Sequence, residues 1–324
     1  MRALVTGGAG FIGHHIVAAL LARGDEVAVI DDCSTGIASR LDPVRDRISF
    51  VFGSILDPSA LDEAMAGCEV VFHEAAIPSV ARSVVAPRAS NEANASGTIE
   101  VMLAASRHRV RRVIFAGSSS VYGVPESLPC RETFRAGPTS PYGASKLAAE
   151  HYVHTLGQLR GVESVVLRYF NVFGPGQDPS SEYSAVIPRF VTAALEGRAP
   201  TIHGTGEVSR DFTFVENVVR ANLLAAEAGK PTGLTCNIAC GGRYTLLELL
   251  DAIYEAAGQG VPPIFGPPRP GDILHSLADI SLARDTLGYE VVVPFHEGIA
   301  RTVAWYRSQT EGSQPAPAAP ARGT

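Results

Sequence analysis

The sequence predicts an α/β fold: a doubly wound parallel sheet with a smaller, mixed α/β second domain. Three observations predict it. Strand-like apolar runs alternate with helix-period segments through the first half of the chain. Those runs lack in/out alternation, as parallel strands covered on both faces should. After Asn171 the texture changes to glycine- and proline-rich loops between separate helices.

Taken in order, strands are expected over 2–6, 26–31, 48–53, 70–73, 113–116 and 164–169. Between them, apolar residues recur at helical spacing over 11–22, 59–66, 88–107 and 142–159. Further on, 173–181 reads as a Gly/Pro/Ser loop, followed by helices over 186–195, 215–228 and 246–257. The Pro/Gly-rich stretch 262–271 reads as a loop, and a last helix fits 297–307. The tail 309–324, rich in Pro and Ala, reads as disordered.

Composition bounds the function. The 324 residues suit about two domains. With 46% hydrophobic and 19% charged residues, the chain can bury a sizeable core. A net charge of −6 argues against a general nucleic-acid or polybasic membrane surface. No apolar run approaches the ~18 residues of a membrane helix. The N-terminus runs straight into strand-like sequence without a leader, so a cytoplasmic protein is expected. Five cysteines without a C-x-x-C are expected to be reduced, and no His/Cys cluster completes a metal site.

The first strand runs into Thr6-Gly7-Gly8-Ala9-Gly10-Phe11-Ile12-Gly13. Missing Cβ atoms permit a tight turn and close approach of a pyrophosphate. The helix from Phe11 then aims its N-terminal N–H groups at the phosphates, as in a Rossmann-type dinucleotide site. The second strand ends in Asp31, 18 residues after Gly13. An acid there accepts from both ribose hydroxyls and repels a 2′-phosphate. Asp32 follows rather than Arg or Lys, so NAD is favoured over NADP.

The fifth strand leads into Gly117-Ser118-Ser119-Ser120-Val121-Tyr122, and Tyr142 and Lys146 follow four residues apart. On a helix those two share a face. A phenol of pKa about 10 is a poor base at neutral pH. A nearby ammonium and a positive nicotinamide ring favour its phenolate. Ser118, at a neighbouring strand end, can bond the same sugar hydroxyl and relay its proton.

Together these residues resemble the extended short-chain dehydrogenase/reductase superfamily and, within it, the UDP-sugar 4-epimerases, over essentially residues 1–308. The resemblance implies catalytic roles for Ser118, Tyr142 and Lys146. It implies tightly bound NAD, regenerated each cycle, against Gly7, Gly10, Phe11, Ile12, Gly13, Asp31, Asp32, Ser34, Thr35, Gly36, Ser54, Ile55, His73, Ala75, Ala76, Asn94, Tyr142, Lys146 and Tyr169. Residues 1–172 plus roughly 212–240 are then the NAD domain. Roughly 173–211 plus 241–308 are the nucleotide-sugar domain. One departure is Gly53-Ser54-Ile55, where the family usually has G-D-I; one adenine contact is weakened or reshaped.

The resemblance also implies a UDP-sugar held by Ser79, Ser118, Ser119, Ser120, Tyr142, Asn171, Gln177, Ala185, Val186, Ile202, Arg210, Arg269, Asp272 and Ser276. Arg210 and Arg269 suit a diphosphate. Related dehydratases carry an acid just before V-Y-G to drive elimination. Ser119 and Ser120 stand there instead, which favours simple oxidation and re-reduction at C4. Gln177, Ala185 and Ser276 resemble the subgroup acting on UDP-N-acetylhexosamines, with Ser276 where restricted relatives have a bulky Tyr. Ser276 is equally readable as a satisfied loop hydroxyl. Pro78 recurs in relatives acting on UDP-hexuronic acids. The expected function is thus a UDP-GlcNAc/UDP-GalNAc and UDP-Glc/UDP-Gal 4-epimerase. The alternatives are a UDP-glucuronic acid 4-epimerase and a non-catalytic NAD/UDP-sugar-binding regulator. The family resemblance further implies a homodimer through 88–107 and 142–159.

Overall fold

A computed structural model describes residues 1–179, 186–229, 232–268 and 273–312. The strands are β1 (Arg2–Thr6), β2 (Glu26–Asp31), β3 (Ile48–Phe52), β4 (Val70–His73), β5 (Arg112–Ser118), β6 (Glu163–Tyr169), β7 (Val172–Phe173), β8 (Thr201–His203), β9 (Ser209–Arg210), β10 (Thr213–Phe214), β11 (Leu234–Ile238), β12 (Tyr244–Thr245) and β13 (Ile264–Gly266). The helices are α1 (Phe11–Arg23), α2 (Pro58–Met65), α3 (Val80–Val85), α4 (Pro87–Asn91), α5 (Gly97–Arg107), α6 (Pro141–Arg160), α7 (Val186–Leu195), α8 (Val215–Glu227), α9 (Leu246–Ala257), α10 (Ser281–Leu287) and α11 (Phe295–Gly312).

Seven strands form one parallel sheet in the order β11-β6-β5-β4-β1-β2-β3. The order reverses between β1 and β4, and such a switch point opens a crevice at the carboxyl ends of the strands. Two apolar clusters cover the sheet. One packs α1 and α8 against it through Ile16, Leu20, Val218 and Ala221. The other packs α2, α5 and α6 through Leu61, Met65, Val101, Ala149 and Val153. A third cluster, away from the sheet, joins α7, α9 and α11 around Phe173, Phe190, Phe212, Phe214 and Phe295. Residues 281–289 were expected with the nucleotide-sugar domain. Their buried side chains Ala283, Leu287 and Tyr289 pack on the sheet-side cluster instead.

The helix boundaries follow local chemistry. α1 ends at Gly24, whose φ of 88° is in the left-handed region that glycine favours. α6 starts where the Ser140 hydroxyl accepts the Gly143 N–H at 3.1 Å, with Pro141 in its first turn. α9 starts with a capping box between Thr245 and Glu248.

Four expectations give way. The helix over 88–107 is interrupted by a π-helical turn, Glu92–Ser96, between α4 and α5. Within that turn Asn94 Oδ1 accepts the Ile77 N–H at 2.8 Å and its Nδ2 donates to Ser145 Oγ at 3.0 Å. The loop over 262–271 contains β13, paired with β8. The last helix extends to Gly312, so 309–312 are helical; the rest of the expected disordered tail lies outside the described residues. The strand β11 was not foreseen at all. Among the described residues no helix is long and apolar enough to cross a membrane.

Candidate active site

A cleft of about 740 Å³ opens at the switch point. It is lined by Gly7, Gly10, Phe11, Ile12 and Gly13 after β1, Asp31, Asp32, Ser34 and Thr35 after β2, and Ser54 and Ile55 after β3. Ala75, Ala76 and Ser79 follow from β4, then Ser118, Ser119 and Ser120 from β5, Tyr142 from α6, and Tyr169, Asn171 and Gln177 from β6 and its loop. A second cavity of about 260 Å³ shares Asn171 and is lined by Val186, Ile202 and Arg210. Ala185, Arg269 and Asp272 lie outside the described residues.

The glycine loop fits a dinucleotide. A Cβ on Gly13 would lie 2.2 Å from the Gly7 carbonyl oxygen, and one on Gly7 2.7 Å from the Ala75 backbone. The loop can therefore lie tight under the first turn of α1, whose N-cap Gly10 offers no side-chain acceptor. The N-terminal N–H groups and the positive end of the helix dipole remain for an anion. Asp31 accepts N–H groups of Ala9 at 2.8 Å and Cys33 at 2.7 Å, which ties the loop to the end of β2. Burial raises its pKa against those bonds.

At the other end of the cleft, the Ser118 hydroxyl accepts the Ser120 N–H at 3.2 Å and donates to Ser120 Oγ at 3.1 Å. The Tyr142 N–H donates to Ser83 Oγ at 3.0 Å, fixing the start of α6. Burial raises the Tyr142 phenol, while a hydrogen bond with Ser118 works the other way. The expected phenolate is thus not favoured by the protein alone. Lys146 is buried, donates to the Ala116 carbonyl at 2.9 Å and sits 4.7 Å above the Phe115 ring. Burial lowers it to about 8, with Glu74 opposing.

Several expected contacts stand behind the cleft wall. His73 is 0% exposed, with Nδ1 2.8 Å from Thr6 Oγ1 and Nε2 2.9 Å from Thr98 Oγ1. Both ring nitrogens are occupied, so its side chain braces β4. Asn94 is likewise committed, to Ile77 and Ser145. Gly36 packs against Asp31 and Ala9. The Ser276 hydroxyl accepts from Asn171 Nδ2 at 3.2 Å, and Asn171 also donates to the Asp211 carbonyl at 2.9 Å. Ser276 therefore stands beside Asn171 as a bonded hydroxyl.

Sequence reasoning missed Arg40, Glu74 and Arg82 in the large cleft and Arg189, Phe190 and His203 in the small one. Arg40 donates to the carbonyls of Ala9 at 3.1 Å and Gly176 at 2.6 Å, joining the glycine loop to the loop after β7. His15 reaches the same loop through the Pro175 carbonyl at 2.9 Å. Such long-range contacts leave no local pattern.

Comparison with known proteins accords with this geometry. The family model described as "NAD dependent epimerase/dehydratase family" matches residues 3–239. A UDP-glucose 4-epimerase of Mycolicibacterium smegmatis is 39% identical over 318 residues, covering 96% of this chain and 100% of that protein. The UDP-glucose 4-epimerase of Thermotoga maritima, solved with UDP-glucose, superposes with a TM-score of 0.91 at 36% identity, covering 96% of this chain and all of that one. The UDP-N-acetylglucosamine 4-epimerase of Methanobrevibacter ruminantium, solved with UDP-N-acetylmuramic acid, gives 0.90 at 38%, covering 95% and 98%. With a doubly wound sheet, a glycine loop shaped for a dinucleotide and a Ser–Tyr pair at its far end, this chain belongs to the NAD-dependent epimerase/dehydratase family.

Proposed function

We propose that the protein is an NAD-dependent UDP-hexose 4-epimerase acting on UDP-GlcNAc/UDP-GalNAc and on UDP-Glc/UDP-Gal. One observation carries the reading. Ser118 and Tyr142 meet at one end of the glycine-loop cleft, while Ser119 and Ser120 place hydroxyls where an eliminating enzyme needs an acid. Bound NAD would supply the hydride acceptor for sugar C4 and the donor for its return to the opposite face. Tyr142 holds the 4-OH proton and Ser118 bonds the same oxygen. Lys146 holds the nicotinamide ribose and lowers the cost of the phenolate. Gly7, Gly10 and Gly13 admit the pyrophosphate, and Asp31 takes the ribose. Arg210 faces the diphosphate of the sugar nucleotide, and Val186 and Ile202 flank its base in the smaller cavity.

Incubating the purified protein with each UDP-sugar, without added cofactor, tests this: C4 epimers should form. Tyr142→Phe should lose most turnover while keeping UDP affinity; undiminished turnover would sink the reading. Ser276→Tyr should hurt N-acetylated substrates more than plain hexoses, and equal losses would remove the steric role of Ser276. The reading includes a homodimer through α4–α5 and α6, which sedimentation velocity checks.

A further inference from the structure

Glu74 has no role in the scheme above, yet it stands in the cleft. It follows β4, and its N–H donates to the Thr6 carbonyl at 3.2 Å. The next N–H, of Ala75, donates to Thr6 Oγ1 at 3.2 Å. The carboxyl group is thereby held beside the glycine loop. Glu74 Oε1 accepts from the Tyr169 hydroxyl at 2.8 Å. That hydroxyl in turn accepts from Asn222 Nδ2 at 2.8 Å, and Asn222 is fully buried. Because an amide N–H can only donate, the phenol proton is directed at Glu74. Glu74 Oε2 has no hydrogen-bond partner among the described residues and belongs to a side chain lining the cleft.

The adenosine end of the cleft is marked by Asp31, Asp32 and Ser54, after β2 and β3. Glu74 follows β4, across β1 from those strands, and is close enough to Lys146 and Tyr142 to act on both electrostatically. We propose that Glu74 faces the nicotinamide ring and that its carboxylate holds the bound cofactor in the oxidised, cationic form. The oxidised ring carries a positive charge and the reduced ring none, so a fixed carboxylate stabilises only the first. The balance is that of the reaction itself. One proton with two electrons leaves sugar C4 as hydride for the ring while the 4-OH proton goes to Tyr142; the return reverses both transfers. A carboxylate at the ring favours the return, and the cycle ends with NAD in place. Burial pushes Glu74 up to about 7 in the protein alone, and the Lys146 ammonium beside it pulls the other way. A bound cation adds to that pull. The groups facing Glu74 are Lys146 and Tyr142 from α6 and Tyr169 from β6, with the neutral amide of Asn222 on α8 behind the Tyr169 hydroxyl; His73, next to it in the chain, turns away into the β4 core.

The inference rests on NAD as the cofactor and not on which sugar is turned over, and its test needs no substrate. The full-length protein and Glu74→Gln are equilibrated with equal NAD and NADH, and the bound pool is isolated and extracted. Gln keeps an oxygen for Tyr169 but not the charge. The bound NAD:NADH ratio should fall on the order of tenfold. Glu74→Asp, which keeps the charge, should stay close to the unsubstituted protein. An unchanged ratio in Glu74→Gln, an equal fall in both variants, or loss of both cofactor forms alike would each overturn the proposal.

Discussion

Replacing Glu150 with Gln should destabilise the protein through one buried ion pair beneath the site. Glu150 on α6 and Arg168 on β6 are 5% and 6% exposed. They are joined by two bonds, Arg168 Nε to Oε2 at 3.0 Å and Nη2 to Oε1 at 2.5 Å. Arg168 Nη1 also donates to the Tyr122 hydroxyl at 2.8 Å, which donates to Asn237 Oδ1 at 2.6 Å. The pair thus clamps the helix carrying Tyr142 and Lys146 to the strand carrying Tyr169. Gln retains one acceptor but turns an amide donor toward the guanidinium and leaves that charge buried. Breaking such a pair costs about 3–5 kcal/mol. At about 2.1 cal/mol/K per residue, the 324-residue chain has an unfolding entropy of roughly 0.7 kcal/mol/K. The melting temperature should therefore drop by about 4–7 °C. Calorimetry at saturating NAD reads the shift, and urea unfolding at matched NAD reads the free energy. Tyr122→Phe, which removes one hydroxyl from the same network, should cost only about 1–2 kcal/mol. A loss below about 1 kcal/mol for Glu150→Gln would refute the brace.

Two further outcomes follow from buried groups near the cleft. Gly13→Ala puts a methyl 2.2 Å from the Gly7 carbonyl oxygen and 2.8 Å from Gly8 Cα, so the loop must open. The purified variant should carry little NAD, and a normal cofactor content after denaturing release would contradict this. Asp211 is fully buried; burial pushes it up to about 7 despite the N–H groups of Ala278, Cys240 and Gly241 bonded to its carboxylate. The folded state then holds that proton more tightly than the unfolded chain, so this residue lowers stability as pH rises from about 4 to 7. Asp211→Asn should remove that fall, and unfolding free energies with the same pH slope in both proteins would rule it out.

The legible parts are those whose constraints sit close together in the chain. The glycine loop needs its missing side chains at Gly7, Gly10 and Gly13 because the turn, the helix start and the phosphate approach all happen within that one segment. The sequence placed Asp31 at the end of β2 for the same reason. The π-helical turn is different: it depends on Asn94 reaching Ile77 and, across to α6, Ser145. Glu74 gains meaning from a tyrosine 95 residues later, and Arg40 from a carbonyl 136 residues later. The motif around His73 does not show that Thr6 and Thr98, on other elements, supply a hydroxyl to each ring nitrogen and bury the side chain. β11 is short and carries Thr, Cys and Asn, so its place beside β6 is set by the sheet edge it covers rather than by its own pattern.

The cleft also shows how an acidic protein binds anions. Its net charge is −6, and Arg40, one of the two arginines lining the cleft, is already engaged by the carbonyls of Ala9 and Gly176. Lys146 is buried behind the cleft, bonded to the Ala116 carbonyl. The N–H groups and dipole of α1, which carry no net charge and need no counterion, are therefore a large part of what a pyrophosphate meets. That frees the carboxylates at the two ends to act as filters. Asp31 and Asp32 disfavour a 2′-phosphate at the adenosine end. Glu74 disfavours a neutral ring at the other. Attraction comes from dipoles and discrimination from charges, so surplus acid in the cleft narrows the choice of dinucleotide to oxidised NAD without weakening the grip on its phosphates.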